Sequence, residues 1–360
     1  MANRRAGRQT TDNLGTTMRS YPILTVALGI GLTVAACSSD DEPAATTIPT
    51  TQSGTVTDDS GTGGSSGQVD GGTNAGPAVA ETQKLKAQML TSFWENDTTV
   101  FQYGFARNNG DGYGYTSGRV GFTTATGDSY QVVQCYDLAF KGAGNLMKKY
   151  EPALKALYDK MIQSGSTQPN IGTIDAVGNY TADWTATANS PTLGPAFKEC
   201  QDERVDLTYW APTLPIMKKW GLTSALTRAS LYDSTVVHGE ANVNDLIEQA
   251  NSDTGNGAQK SPAAPLSEAA ESAWLQAFHI HRVALLDSSG AWKPAIARGA
   301  NYEQMRRDGN FDLSKKIVTS ANANSVFPGK GYPSNGYQAC VINPDGSVSG
   351  EAQCTAPISD

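Results

Sequence analysis

The chain has 360 residues, 39% of them hydrophobic, and carries 35 Asp and Glu against 27 Lys and Arg, a formal net charge of −8. That is enough apolar material for one substantial core, and the acidic balance disfavours a nucleic-acid partner while favouring a cationic one. His279 and His281 are two apart and would face different ways on a helix, so neither metal nor cofactor is expected.

Residues Tyr21–Ala36 form an apolar run preceded by Arg4, Arg5, Arg8 and Arg19 and closed by Val34-Ala35-Ala36-Cys37. The run is too short for a comfortable membrane span. Its pattern is that of a bacterial lipoprotein signal (1–36), with Cys37 the lipidated first residue of the mature protein; an ordinary secretory signal is the alternative. The protein is therefore expected outside the cytoplasm, held by its lipid to the outer face of the cell membrane, or extracellular. Residues 37–80 are Ser, Thr, Gly, Asp and Pro with almost no large apolar groups. They cannot offset their ordering entropy and read as a disordered tether.

The globular part is expected over 81–315. Leu85, Met89, Leu90, Phe93 and Trp94 recur at helical spacing, which predicts a helix with one buried face and Glu95 near its C-terminal end. Glycines alternate with aromatic and β-branched residues from Gly110 to Gly127, which reads as a loop feeding a short twisted hairpin. The segments 144–161, 195–206, 214–237 and 266–286 carry apolar residues at three- and four-residue spacing and are predicted helical. The chain is thus mainly α with one small antiparallel sheet. Beyond Cys37 there are four cysteines, an even count that argues for two disulfides in an exported protein. Three pairings are possible; Cys340 and Cys354 are close in sequence and pair most economically, leaving Cys135 with Cys200. The extension 316–360 is then disulfide-stapled.

Chemistry concentrates between Glu95 and Asp128. Glu95-Asn96 is followed sixteen residues later by Asp111 in Gly110-Asp111-Gly112-Tyr113-Gly114-Tyr115-Thr116-Ser117-Gly118, then Gly121-Phe122 and Thr126-Gly127-Asp128. Two facing carboxyls suffice to cleave a glycosidic bond: one protonates the leaving oxygen and the other activates water. This series resembles the family 46 glycoside hydrolases, the chitosanases. The resemblance continues through Gly144-Asn145-Leu146, Asp183-Trp184, Asp202-Glu203-Arg204, Tyr232-Asp233, Val237-His238-Gly239, Phe278 with Arg282, and Gly309-Asn310-Phe311-Asp312-Leu313. It spans roughly Leu85 to Leu313, with insertions near 163–180 and 241–268.

The resemblance implies a lysozyme-like fold of two lobes around a cleft, a small sheet at its side, and endo-acting hydrolysis of β-1,4-linked glucosamine with inversion. It makes Glu95 the general acid, Asp111 the general base and Thr116 the holder of the attacking water. Asp128 would bind a glucosamine ammonium; its plain alternative is a helix N-cap. Asp233, Arg282 and Arg298 would form an ionic network behind the acid. Two positions depart from the family: Tyr113 stands where Arg is usual, and Phe105 where a substrate-contacting Tyr is common. With Tyr209 these are the candidate sugar-contacting aromatics. Chitosan, a polycation, suits the acidic chain, and a monomer is expected. A membrane-tethered peptidoglycan hydrolase and a non-catalytic glycan-binding lipoprotein are the competing readings.

Overall fold

The computed structural model describes residues 81–256, 264–288, 295–319, 322–330, 332 and 339–356. The expected signal segment, Cys37 and the expected tether fall outside the described residues.

The first lobe is built on a three-stranded antiparallel sheet in the order β1 (Ala106–Asn108), β2 (Tyr115–Ser117) and β3 (Phe122–Thr123), with Thr116 opposite Arg107 on one side and Thr123 on the other. Around it pack α2 (Asp128–Ala139), α3 (Glu151–Ser164), α4 (Gly172–Asp175), α5 (Tyr180–Asn189) and α6 (Gly194–Val205). Tyr136, Tyr150, Tyr180, Trp184 and Phe197 are fully buried there. Side chains of this size each stabilise the fold by about 1.5–3 kcal/mol on burial. The Cys135–Cys200 disulfide ties α2 to α6.

The second lobe gathers α1 (Glu81–Asn96), α8 (Ala225–Thr254), α9 (Glu268–Ser288), α10 (Ile296–Arg307) and α11 (Ala323–Val326). A π-helical turn, Asp206–Trp210, and α7 (Thr213–Trp220) connect the lobes, which share one apolar core. The expected architecture, mainly α with a small antiparallel sheet, is borne out.

Several local expectations need correction. The segment 214–237 is two helices. Gly221, at φ 67°, ends α7, and Ser224 caps α8 by accepting from the Thr227 N–H at 3.1 Å. A glycine in the left-handed region followed by a serine cap is a strong stop-and-start signal. Buried Glu271 of α9 secures that start, accepting the N–H groups of Thr223 and Ser224. Helix α8 then continues past 237 to Thr254, broken in direction at Gly239 (φ 73°, ψ 164°). On α1 the buried stripe includes Lys86, Ala87, Leu90, Thr91 and Phe93, whereas Leu85 is exposed. Lys86 tolerates burial because its ammonium donates to the carbonyls of Leu313 and Pro344.

There are also two sheets rather than one among the described residues. The second is β4 (Ile317–Val318), β5 (Cys340–Ile342) and β6 (Val348–Gly350), antiparallel in that order. It belongs to the extension, which the Cys340–Cys354 disulfide closes. This tail lies against α1: Phe93 packs on both cysteines, Thr98 donates to the Ala356 carbonyl at 2.8 Å, and Thr99 donates to that of Cys354 at 2.6 Å.

Candidate active site

Glu95 stands in the last turn of α1, one helical turn after Thr91, so both side chains share a face. That face meets Asp233 of α8, wholly buried, which accepts from Thr91 Oγ1 at 2.7 Å, from Arg282 of α9 at 2.5 Å, and from Arg298 of α10 at 2.7–3.0 Å. Arg298 also donates to Glu95 Oε1. Burial pushes the Asp233 carboxyl up, but the Arg298 and Arg282 guanidiniums outweigh it and hold it well below the usual carboxylate range. Four helices thus converge on one ion chain. Only Glu95, whose side chain is 17% exposed, opens to solvent. The structure brings together all four residues of the expected network.

Asp111 and Thr116 sit on the other lobe. Asp111 occupies the β1–β2 loop between Gly110 (φ 68°) and Gly112 (φ 86°), a conformation that L side chains rarely adopt. Its Oδ1 accepts from the Tyr113 N–H at 2.9 Å, while Oδ2 is shielded from solvent and has no protein partner. Thr116, fully buried on β2, accepts from Asn109 Nδ2 at 3.3 Å, a bond that does not use its own hydroxyl hydrogen. Tyr113 and Phe105 are half-buried beside this loop, and Arg107 lies over the Phe105 ring at 5.8 Å.

Asp128 is the first residue of α2, and the cap position is Gly127, without a side-chain cap. The N-cap alternative is therefore not what the structure shows. Asp128 instead accepts from Thr126 Oγ1 at 2.9 Å. Burial raises its carboxyl above the ordinary value, tempered by Thr126 and by the positive charge of Arg204. Tyr209, in the π-helical turn, lies within electrostatic reach of Asp128, Arg204 and Glu95, and burial pushes its phenol well up.

Sequence reasoning gave no role to Thr91, Asn109 or Arg204. Thr91 was findable as the residue one turn ahead of Glu95. Asn109 directly precedes the Gly-Asp-Gly triplet but is contacted only once the loop folds back.

Residues 89–317 match glycosyl hydrolase family 46. The chain belongs to glycosyl hydrolase family 46. A chitosanase of Bacillus subtilis (strain 168) is 32% identical over 68% of this chain and 84% of its own length, and a chitosanase of Streptomyces sp. (strain N174) is 31% identical over 71% and 86%. Among solved structures, a mutant chitosanase from Bacillus subtilis MY002 complexed with 6 GlcN superposes with a TM-score of 0.58 at 28% identity, covering 74% of this chain and all of that one. The family 46 resemblance and the expectation of a glycoside hydrolase are both borne out. Among the described residues, no helix is long and apolar enough to cross a membrane.

Proposed function

We propose that this family 46 enzyme is an endo-acting chitosanase that hydrolyses β-1,4 linkages between glucosamine units with inversion, with Glu95 the general acid and Asp111 the general base. The observation that carries this reading is the contrast in how the two carboxyls are held. Arg298 engages only Oε1 of Glu95, leaving Oε2 to carry the proton given to the leaving oxygen. The carboxylate that results is stabilised by the guanidinium already in place. Asp111 has Oδ1 occupied by a backbone N–H, while Oδ2 is shielded from bulk solvent and has no protein donor, so it is the oxygen left to take a proton from a water admitted with the substrate. Thr116 donates its hydroxyl hydrogen to that water.

Asp128 supplies the selectivity. A carboxylate meeting a substrate ammonium forms a charge-assisted hydrogen bond that an N-acetyl group cannot make. The chitosanase relatives, one of them solved with 6 GlcN, support glucosamine chains as substrate. The test is reducing-end release from chitosan and from purified peptidoglycan, with the anomer of the first-formed product read by NMR. Release from chitosan alone, appearing as the α-anomer, is expected. Release of the β-anomer would overturn inversion, and release from peptidoglycan alone would overturn the substrate.

A further inference from the structure

The helix that carries Glu95 ends under the C-terminal extension. α1 closes at Asn96, and Asp97 turns out of it at φ 56°, with its N–H donating to the Phe93 carbonyl at 2.8 Å. A residue with a side chain loses about 1–2 kcal/mol in that left-handed conformation and keeps it only where its surroundings impose it. Here the extension supplies those surroundings. Thr98 and Thr99, both buried, give their hydroxyl hydrogens to the carbonyls of Ala356 and Cys354. Phe93 packs on Cys340 and Cys354, and Trp94 and Val348 pack against the same cluster. Glu95 is thus flanked in sequence, before and after, by residues tied to the extension. Their partners all lie beyond residue 317, where the match to family 46 ends. The last turn of a helix is its most weakly held part, because its carbonyls have no partner within the helix. Arg298 engages one oxygen of Glu95, which orients the carboxyl but not the backbone it springs from.

We propose that Thr98 and Thr99, held by the carbonyls of Ala356 and Cys354, are positioning residues for Glu95, and that the extension serves turnover by fixing the end of α1. This rests on the reading of Glu95 as the general acid. A proton donor works only when held close to its productive geometry, and a displacement of about 1 Å can cost roughly 10²-fold in rate. Thr99 is the firmer tie, since its bond is the shorter at 2.6 Å and its acceptor belongs to a residue that the disulfide locks to β5.

Steady-state hydrolysis of chitosan, run well below the unfolding midpoint of every variant, tests it. Thr99→Val keeps the shape and removes the donor. It lowers kcat about three- to thirtyfold with KM unchanged, because a misplaced acid weakens the transition state and not the binding of substrate. Thr99→Ser keeps the donor and holds kcat near wild type. Thr98→Val lowers kcat in the same way but by less, and it carries the test should Thr99→Val not fold. Ser347→Ala is the control within the extension: Ser347 is exposed, and its neighbour Gly346 faces Thr82 and Leu85 at the far end of α1. It leaves kcat unchanged. A brace that only stabilised the fold would lower the unfolding midpoint of the valine variants and leave kcat alone. That result, a rise in KM in place of a fall in kcat, or equal losses in Thr99→Val and Thr99→Ser overturns the proposal. If Glu95→Gln keeps wild-type kcat, the acid assignment falls and takes this one with it. If Glu95→Gln is crippled while the valine variants turn over normally, this one alone is removed.

Discussion

The two carboxyls of the site are housed in opposite ways. Glu95 is fixed by contacts between residues far apart in sequence: its Arg298 lies 203 positions away, and Asp233 is tied to Arg298 across 65 and to Arg282 across 49. Asp111 is held by its own neighbourhood, a Tyr113 N–H two residues on and a turn made by flanking glycines. As the proposed acid, Glu95 must hand over a proton and then carry charge, and that needs a prearranged environment of the kind a packed interior supplies. As the proposed base, Asp111 needs an oxygen left free of protein donors, which a slim loop supplies at Oδ2. Stability and chemistry should therefore be coupled on the acid side and separable on the base side.

The largest effects test the chemistry. Glu95→Gln and Asp111→Asn are each expected to lower kcat by about 10²–10⁴-fold, the usual worth of one acid or base, measured as reducing-end release under saturating chitosan. The contrast appears in denaturant unfolding of the same variants, where Asp111→Asn stays within about 0.5 kcal/mol of wild type, as befits a site outside any buried network.

Next comes the ion chain. Asp233→Ala leaves Arg282 and Arg298 buried without their shared counter-charge and should cost about 3–5 kcal/mol, read from the midpoint and slope of urea unfolding. A loss below about 1 kcal/mol would mean that the chain is no keystone, and the comparison between the two housings would collapse.

Acid sharpens the same contrast. Burial, aided by the charges of Arg282 and Arg298, pushes the His238 imidazole down to about 2. The unfolded chain then binds a proton near pH ~6.5 that the folded chain refuses, so stability declines as pH falls below that value. For Glu303, burial acts upward but the hydrogen bonds from Arg306 and His279 prevail, and its carboxyl is lowered to about 2. Its contribution is complete above the ordinary glutamate value and disappears as pH drops through about 2. Unfolding free energy should thus decline first below about pH 6.5 and again below about pH 4.3. His238→Asn should lessen the first decline, to which buried His279 also contributes, and Glu303→Gln the second, to which Asp233 also contributes, in urea titrations run from pH 7 downward.

The smallest expected effect belongs to the loop. Gly112→Ala meets no neighbouring atom, so its penalty is confined to a φ of 86° and should be about 1–2 kcal/mol or less. Where that strain is relieved by moving Asp111, kcat should fall while the unfolding midpoint shifts by no more than that penalty. An unchanged kcat would show that the loop's backbone does not position the base.

How much of this could be read in advance follows from the range of each interaction. The helix bearing Glu95 was legible because its apolar residues recur every three or four positions, and the Gly-Asp-Gly turn because glycine flags its own geometry. The meeting of Glu95 with Arg298, Asp233 and Arg282 has no local signature; only likeness to a known family pointed to it. The break at Gly221 was readable from Gly221 and Ser224 but was hidden by apolar residues that keep helical spacing across it. Strands of two or three residues, as in β4 to β6, are too short to establish an alternating pattern, so the second sheet went unseen. The course of α8 after Gly239 (φ 73°) is likewise set by packing that composition does not encode.

The tail over α1 bears on the order in which the molecule comes together. Synthesis proceeds from the N-terminus, so the helix carrying the acid emerges first. The residue that closes over Thr99, Cys354, follows 255 positions later. Until then Phe93 lacks the two sulfurs it packs against, and part of a large apolar ring stays uncovered while the intervening residues are made. Contacts of such long range form slowly, since loop closure precedes any gain from the contact. Nascent chains that stall before Cys354 would therefore present that face of α1 to chaperones and proteases.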